Sequence, residues 1–209
     1  MADTPKRRPW LFLAGAAAFA VLAVVAGVTL MKPRAADAAN AAYASLGHGI
    51  NDVQIVDDNG QAIRWSQLNG KPRALFFGFT HCPVICPVTV WQLNDAMDRI
   101  GPAAKDLQIE FVTLDSARDT PAVLHQYFGG FEGHVRGFSG DAAQIDRIAH
   151  AYEVVYRRVP GEGHDYTLDH TATVFLIDSS GQVVDVIGFG STREVTEQRL
   201  RALVGAAAS

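Results

Sequence analysis

RALFFGFTHCPVICPVTVWQL, residues 73–93, decides how the chain is read. Residues 73–79 form a short apolar run of the kind expected for a buried strand. Pro83 and Pro87 cannot lie in a regular helix interior but suit a first turn. Residues 87–100 then carry Val88, Trp91, Leu93 and Met97 at roughly helical spacing, and Gly101-Pro102 stops the run. A buried strand therefore gives way to a helix across Cys82 and Cys86.

Working outward, residues 53–56 and 62–65 flank Asp58-Asn59-Gly60 and predict a hairpin turned by Asn-Gly. Beyond the quoted stretch, 107–114 reads as a strand, and 121–128 and 142–152 read as helices. Residues 153–159, 172–177 and 183–187 read as strands, with Ser179-Ser180-Gly181 turning between the last two, and 193–204 as a closing amphipathic helix. Strands alternating with helices, then a hairpin and a helix, predict an α/β sandwich with a mixed sheet over residues 46–209.

The 209 residues, 48% hydrophobic and 19% charged, suffice for one such domain and an appendage. Net charge is −4 with the signs interspersed, so no basic footprint points to a nucleic-acid partner. The appendage is N-terminal. WLFLAGAAAFAVLAVVAGVTLM, residues 10–31, carries no charge and is long enough to cross a bilayer as a helix. Lys6, Arg7 and Arg8 before it favour a cytoplasmic tail, 1–9, and an exported domain joined through an Ala-rich linker, 32–45. Ala36-Asp37-Ala38 also offers a cleavage site, but the run exceeds the usual signal-peptide length and favours a retained anchor.

Only two cysteines occur, too few and too close for a disulfide scaffold. Four residues apart in a helical first turn, their Cα atoms would lie about 6 Å apart, a distance a disulfide accepts. Reduced, the two sulfurs could grip one soft metal ion. Zinc takes four ligands, whereas copper(I) accepts two thiolates and an imidazole. Of seven histidines, His48, His125, His134 and His150 suit solvated or packing roles. His164 lies in a Gly-rich loop. His170 is better placed, ending the polar loop DYTLDH directly before a strand.

FFGFTHCPVICPVTVWQL at 76–93, FVTLDSARDTPAVLHQYFGGF at 111–131 and DYTLDHTATVFLIDSSGQVV at 165–184 together resemble the three sequence blocks of the SCO/SenC family. Those are copper-binding proteins that assist cytochrome c oxidase assembly. The resemblance implies a thioredoxin-like fold behind one transmembrane helix. It implies copper as Cu(I) or Cu(II) on Cys82, Cys86 and His170, with Asp169 as the neighbouring acid. It also implies an inner-membrane protein with its domain in the periplasm, or in the mitochondrial intermembrane space. The implied partners are the apo copper-containing oxidase subunit and another copper chaperone. Two positions depart from the pattern: Val84 stands where many members have Asp, and Ser116 replaces a proline.

A metallochaperone is the leading expectation. The alternative is a membrane-anchored thiol–disulfide oxidoreductase using Cys82 and Cys86 as its redox pair, although its usual CxxC and late proline are lacking after Pro160. A thioredoxin-like peroxidase would need Thr80 and Arg118 at the cysteines, and a metal-free sensor domain is the remaining reading.

Overall fold

The hairpin forms where Asn-Gly places it. β1 (Gln54–Asp57) and β2 (Ala62–Arg64) pair antiparallel. Gly60 takes φ 81°, and Asp57 Oδ1 accepts from the backbone N–H groups of Asn59 and Gln61 at 3.0 and 2.8 Å. This computed structural model describes residue 43 and residues 45–131, 134–163 and 165–207. The expected tail 1–9, the anchor 10–31, nearly all of the linker 32–45 and His164 lie outside them. Among the described residues, no helix is long and apolar enough to cross a membrane.

β3 (Arg73–Gly78) leads into α1 (Ile85–Ile100), then β4 (Gln108–Thr113), α2 (Pro121–Phe128), β5 (Val135–Ser139) and α3 (Ala142–Ala151). β6 (Tyr156–Pro160), β7 (Tyr166–His170), β8 (Val174–Ile177), β9 (Val183–Ile187) and α4 (Arg193–Ala207) complete the chain. Seven strands share one sheet in the order β2-β1-β5-β4-β3-β8-β9. β3, β4 and β5 run parallel, and antiparallel pairs flank them. This is an α/β arrangement on a mixed sheet, as the element order predicts, and it agrees with the thioredoxin-like fold that the family resemblance implies.

β3 is central and buried on both faces, which explains its unbroken apolar run. Successive side chains leave opposite faces. Phe76 meets Phe111 at 6.0 Å between centroids and His170 at 6.1 Å, whereas Phe77 meets Tyr152 at 5.6 Å and Phe175 at 6.0 Å.

Several boundaries differ from the sequence reading. The inward stripe of α1 is Cys86, Val90, Leu93, Met97 and Ile100, while Val88 and Trp91 face outward. Trp91 is covered there by the Arg193 guanidinium, 4.5 Å from its ring centroid. β5 was not anticipated, because Arg136 and Gly137 break its apolar run. In the fold Arg136 pairs with Asp57 at 2.9 Å. A Cβ on Gly137 would sit 2.9 Å from Leu124 Cβ, so that position must stay small. DYTLDH is a strand rather than a loop. It pairs with β6 in a separate two-stranded ribbon, and the strand expected from residue 172 begins at Val174.

One buried ion pair breaks the apolar core. Arg73 Nε lies 3.5 Å from Glu110 Oε2 with both side chains almost fully enclosed, and neither atom has a hydrogen-bond partner. Burial pushes the Glu110 carboxyl from 4.5 up to about 7 against the pull of Arg73. Because the folded state favours the neutral acid, this group costs stability as pH rises through that window. Replacing one partner strands a buried charge, whereas replacing both by apolar residues does not. Glu110→Leu alone is expected to cost about 3–5 kcal/mol, and Arg73→Leu with Glu110→Leu to be neutral or stabilising. Urea unfolding of the three proteins at pH 5 and pH 8 checks this. A double variant weaker than the single one would contradict it.

Candidate metal centre

Three chain segments meet at the C-terminal end of β3. Residues 79–84 lead to α1, residues 115–120 follow β4, and residues 171–173 enter β8, which runs antiparallel to β3. Cys82 precedes α1 and Cys86 lies in its first turn, and both thiols are free and buried. The Cys86 N–H donates to Cys82 Sγ at 3.3 Å. His170 ends β7 and is half-buried. Cys82 Sγ, Cys86 Sγ and a His170 ring nitrogen all lie within 4.8 Å of one another.

The His170 tautomer follows from its neighbours. Nδ1 lies 2.9 Å from the Thr171 carbonyl, which only accepts, so Nδ1 carries the proton. Nε2 keeps its lone pair and faces Cys86 Sγ at 3.6 Å. A carbonyl holding the far side of the ring is the usual way to orient a metal-binding imidazole. Burial pulls the His170 pKa below its ordinary value, so the ring is neutral and able to bind at neutral pH. Burial drives the Cys86 thiol strongly upward, so an incoming cation would have to displace its proton.

The Cys86 sulfur approaches the sheet because residue 78 has no side chain. A Cβ there would lie 2.9 Å from Cys86 Sγ and 2.8 Å from the Phe111 ring. A glycine inside an otherwise bulky buried strand was the available sequence signal for this close approach.

A buried carboxylate holds the cysteine loop. Asp119 accepts from Thr80 N–H at 2.9 Å, Thr80 Oγ at 2.5 Å and Thr113 Oγ at 2.6 Å. It lies in the second of the three family-like blocks, but its partners lie up to 39 residues away, so no spacing connects it to the cysteines. Its neighbour Arg118 turns to Asp115, Asp165 and Tyr166. Thr80 and Arg118 therefore make no hydrogen bond to either sulfur among the described residues. Asp169 points outward and pairs with Arg157. His48, His125 and His150 are exposed, and His134 bonds Asn94 at 3.2 Å. Val84 is exposed at the N-cap of α1. An Asp there would find few donors, because Cys86 N–H is taken by Cys82 and Pro87 has none, so the departure strands nothing.

A sequence model of the SCO1/SenC family matches residues 45–205. The chain belongs to the SCO1/SenC family. The "SCO2-like protein" of Rickettsia felis is 34% identical over 133 residues, covering 63% of this chain and 65% of that protein. "Protein SCO2, mitochondrial" of Saccharomyces cerevisiae is 36% identical over 159 residues, covering 72% and 50%. This SCO1/SenC chain thus spans between half and two thirds of the length of those two curated relatives. Among solved structures, Bradyrhizobium japonicum ScoI with copper bound is 36% identical at a TM-score of 0.67, covering 72% of this chain and 96% of that one. Yeast Sco1 with copper bound is 30% identical at a TM-score of 0.69, covering 78% and 90%.

Proposed function

We propose that this chain binds one copper ion through Cys82, Cys86 and His170 and delivers it to the apo copper-containing subunit of cytochrome c oxidase. The observation that carries the reading is the convergence of two buried sulfurs and one tautomer-locked imidazole within 4.8 Å. Two soft donors and a neutral nitrogen suit copper(I), and no fourth donor joins them among the described residues to make a structural zinc site. Copper bound to two family neighbours supports the same choice. The run 10–31 would anchor the chain in the inner membrane with the domain in the periplasm, or in the intermembrane space of a mitochondrion. Another copper chaperone would load it.

A thiol–disulfide oxidoreductase is the second reading, favoured by two free sulfurs one helical turn apart. Against it, burial keeps Cys86 a protonated thiol. The two activities exclude each other at any moment, because a disulfide leaves no thiolate for the metal.

Titrating the reduced chain anaerobically is expected to give one tightly held copper and little zinc retention. Since Cys86 must lose a proton on binding, apparent affinity is expected to rise about tenfold per pH unit for that proton. Cys82→Ser and Cys86→Ser should abolish tight binding equally and cause equal loss of oxidase activity in cells, partly restored by added copper. Two tight coppers, a preference for zinc, or a Cys86→Ser protein trapped covalently on a partner would count against the carrier.

A further inference from the structure

The ribbon that carries His170 shares no backbone ladder with the seven-stranded sheet. Two strands alone are marginally stable in water. His170 must nevertheless be held against sulfurs that are fixed on another element, so something must register the ribbon on the domain. Leu168 packs into the core, and the Tyr156 hydroxyl of β6 reaches Asp146. Apart from the Cys86–His170 contact and the bonds to the adjoining residues Asp165 and Thr171, every hydrogen bond that joins β7 to residues outside the ribbon runs, among the described residues, to Arg118 or Asp115.

Those bonds are concentrated on Tyr166, the first residue of β7. Arg118 Nη1 donates to the Tyr166 carbonyl at 3.0 Å and to the Asp165 carboxylate at 3.1 Å. The same guanidinium lies 3.7 Å from the centroid of the Tyr166 ring, and Arg158 of β6 covers that ring at 4.4 Å. Arg118 Nε donates to one oxygen of buried Asp115, and the Tyr166 hydroxyl donates to the other at 2.6 Å. Residues 118 and 119 thus grip two different segments: Asp119 holds Thr80 ahead of Cys82, and Arg118 holds the strand that ends in His170.

Resting on the copper reading above, we infer that Arg118 is a positioning residue for the third ligand. Clamping Tyr166, it keeps His170 at the far end of a five-residue strand within reach of the sulfurs. Releasing the clamp leaves the two-sulfur pair intact and lets the imidazole swing away. The arginine is needed for its shape as well as its charge, because a planar fork bonds the carbonyl and carboxylates while its face stacks on the ring, and lysine reproduces only the charge.

The test uses the full-length chain, reduced, kept from oxygen and loaded with one equivalent of Cu(I). X-ray absorption counts sulfur and imidazole neighbours of the copper, and competition with a chelator gives the affinity. The wild type is expected to show two sulfurs and one imidazole. Arg118→Gln should keep both sulfurs, lose the imidazole signal and bind about 10–100-fold more weakly, the range for groups that orient a ligand. Arg118→Lys should recover part of the signal. Tyr166→Phe, which removes only the Asp115 bond and keeps the ring, should show a smaller loss and decides the matter if Arg118→Gln does not fold. A purely structural Arg118 would lower the melting temperature and leave the copper–imidazole signal unchanged. That result in Arg118→Gln, or in Tyr166→Phe should the former not fold, overturns the inference. A wild type without an imidazole neighbour would instead overturn the three-donor site itself.

Discussion

His170→Ala is expected to weaken copper binding by more than the about 10–100-fold that follows loss of a group merely orienting a ligand, because here the donor itself disappears. The fold should survive. His170 sits half-buried at the end of the β6–β7 ribbon, and its packing consists mainly of edge contacts with Phe76 and Phe79 at 6.1 and 5.9 Å. Aromatic contacts of that kind contribute about 0.5–1.5 kcal/mol. The melting temperature should therefore fall by only a few degrees, at about 2–4 °C per kcal/mol for a chain of this size. His125→Ala and His150→Ala, both at exposed positions, serve as controls with unchanged affinity. Chelator competition on the reduced proteins makes the measurement. A larger loss from His164→Ala than from His170→Ala would reassign the third ligand.

A large effect on stability is expected from Asp119→Ala. The carboxylate is fully buried and accepts three hydrogen bonds. Truncation leaves the Thr80 N–H, the Thr80 hydroxyl and the Thr113 hydroxyl without their acceptor. Each buried donor stranded in this way costs about 1–3 kcal/mol. A total loss above about 3 kcal/mol follows, or roughly 6–12 °C in melting temperature. Copper affinity should fall as well, since Thr80 stands two residues before Cys82 and fixes where the cysteine loop leaves β3. Asp119→Asn keeps the shape and part of the accepting capacity, so it should recover much of the stability. Thermal melting and copper competition on both variants test the two effects separately. An Asp119→Ala protein as stable as wild type would show that the network carries no weight.

The strand-to-helix junction was legible because its causes are local. The apolar run of β3, the two prolines and the glycine stop at residue 101 each act within a few neighbours. The Asn-Gly turn of the hairpin is equally local. α1 was placed correctly, but its buried face was not. Val88 and Trp91 share the helical spacing of Leu93 and Met97, yet it is Cys86, Val90 and Leu93 that turn inward. β5 escaped notice because a charge and a glycine interrupt it, and both are accommodated by partners distant in the chain, Asp57 and Leu124. β7 escaped because a ribbon exposed along most of its length has no apolar alternation to display.

What the sequence by itself determined was chemical identity at short range: two sulfurs one helical turn apart at a strand end, a histidine at the end of a polar stretch, and a long uncharged run near the N-terminus. Those follow from residue type and spacing, and no distant contact is needed to read them. The tertiary structure alone decided that the histidine reaches the sulfurs, because His170 lies 84 residues from Cys86 and arrives on a strand paired with none of the sheet's members. It also decided that Nδ1–H donates to the Thr171 carbonyl, which leaves Nε2 to face the sulfur. Gly78 makes room for that sulfur, and Arg118 and Asp119 hold its two supporting segments in register. Each of these depends on directions fixed only when β3, β4 and the ribbon are assembled, and a one-dimensional spacing carries no record of direction between separate elements.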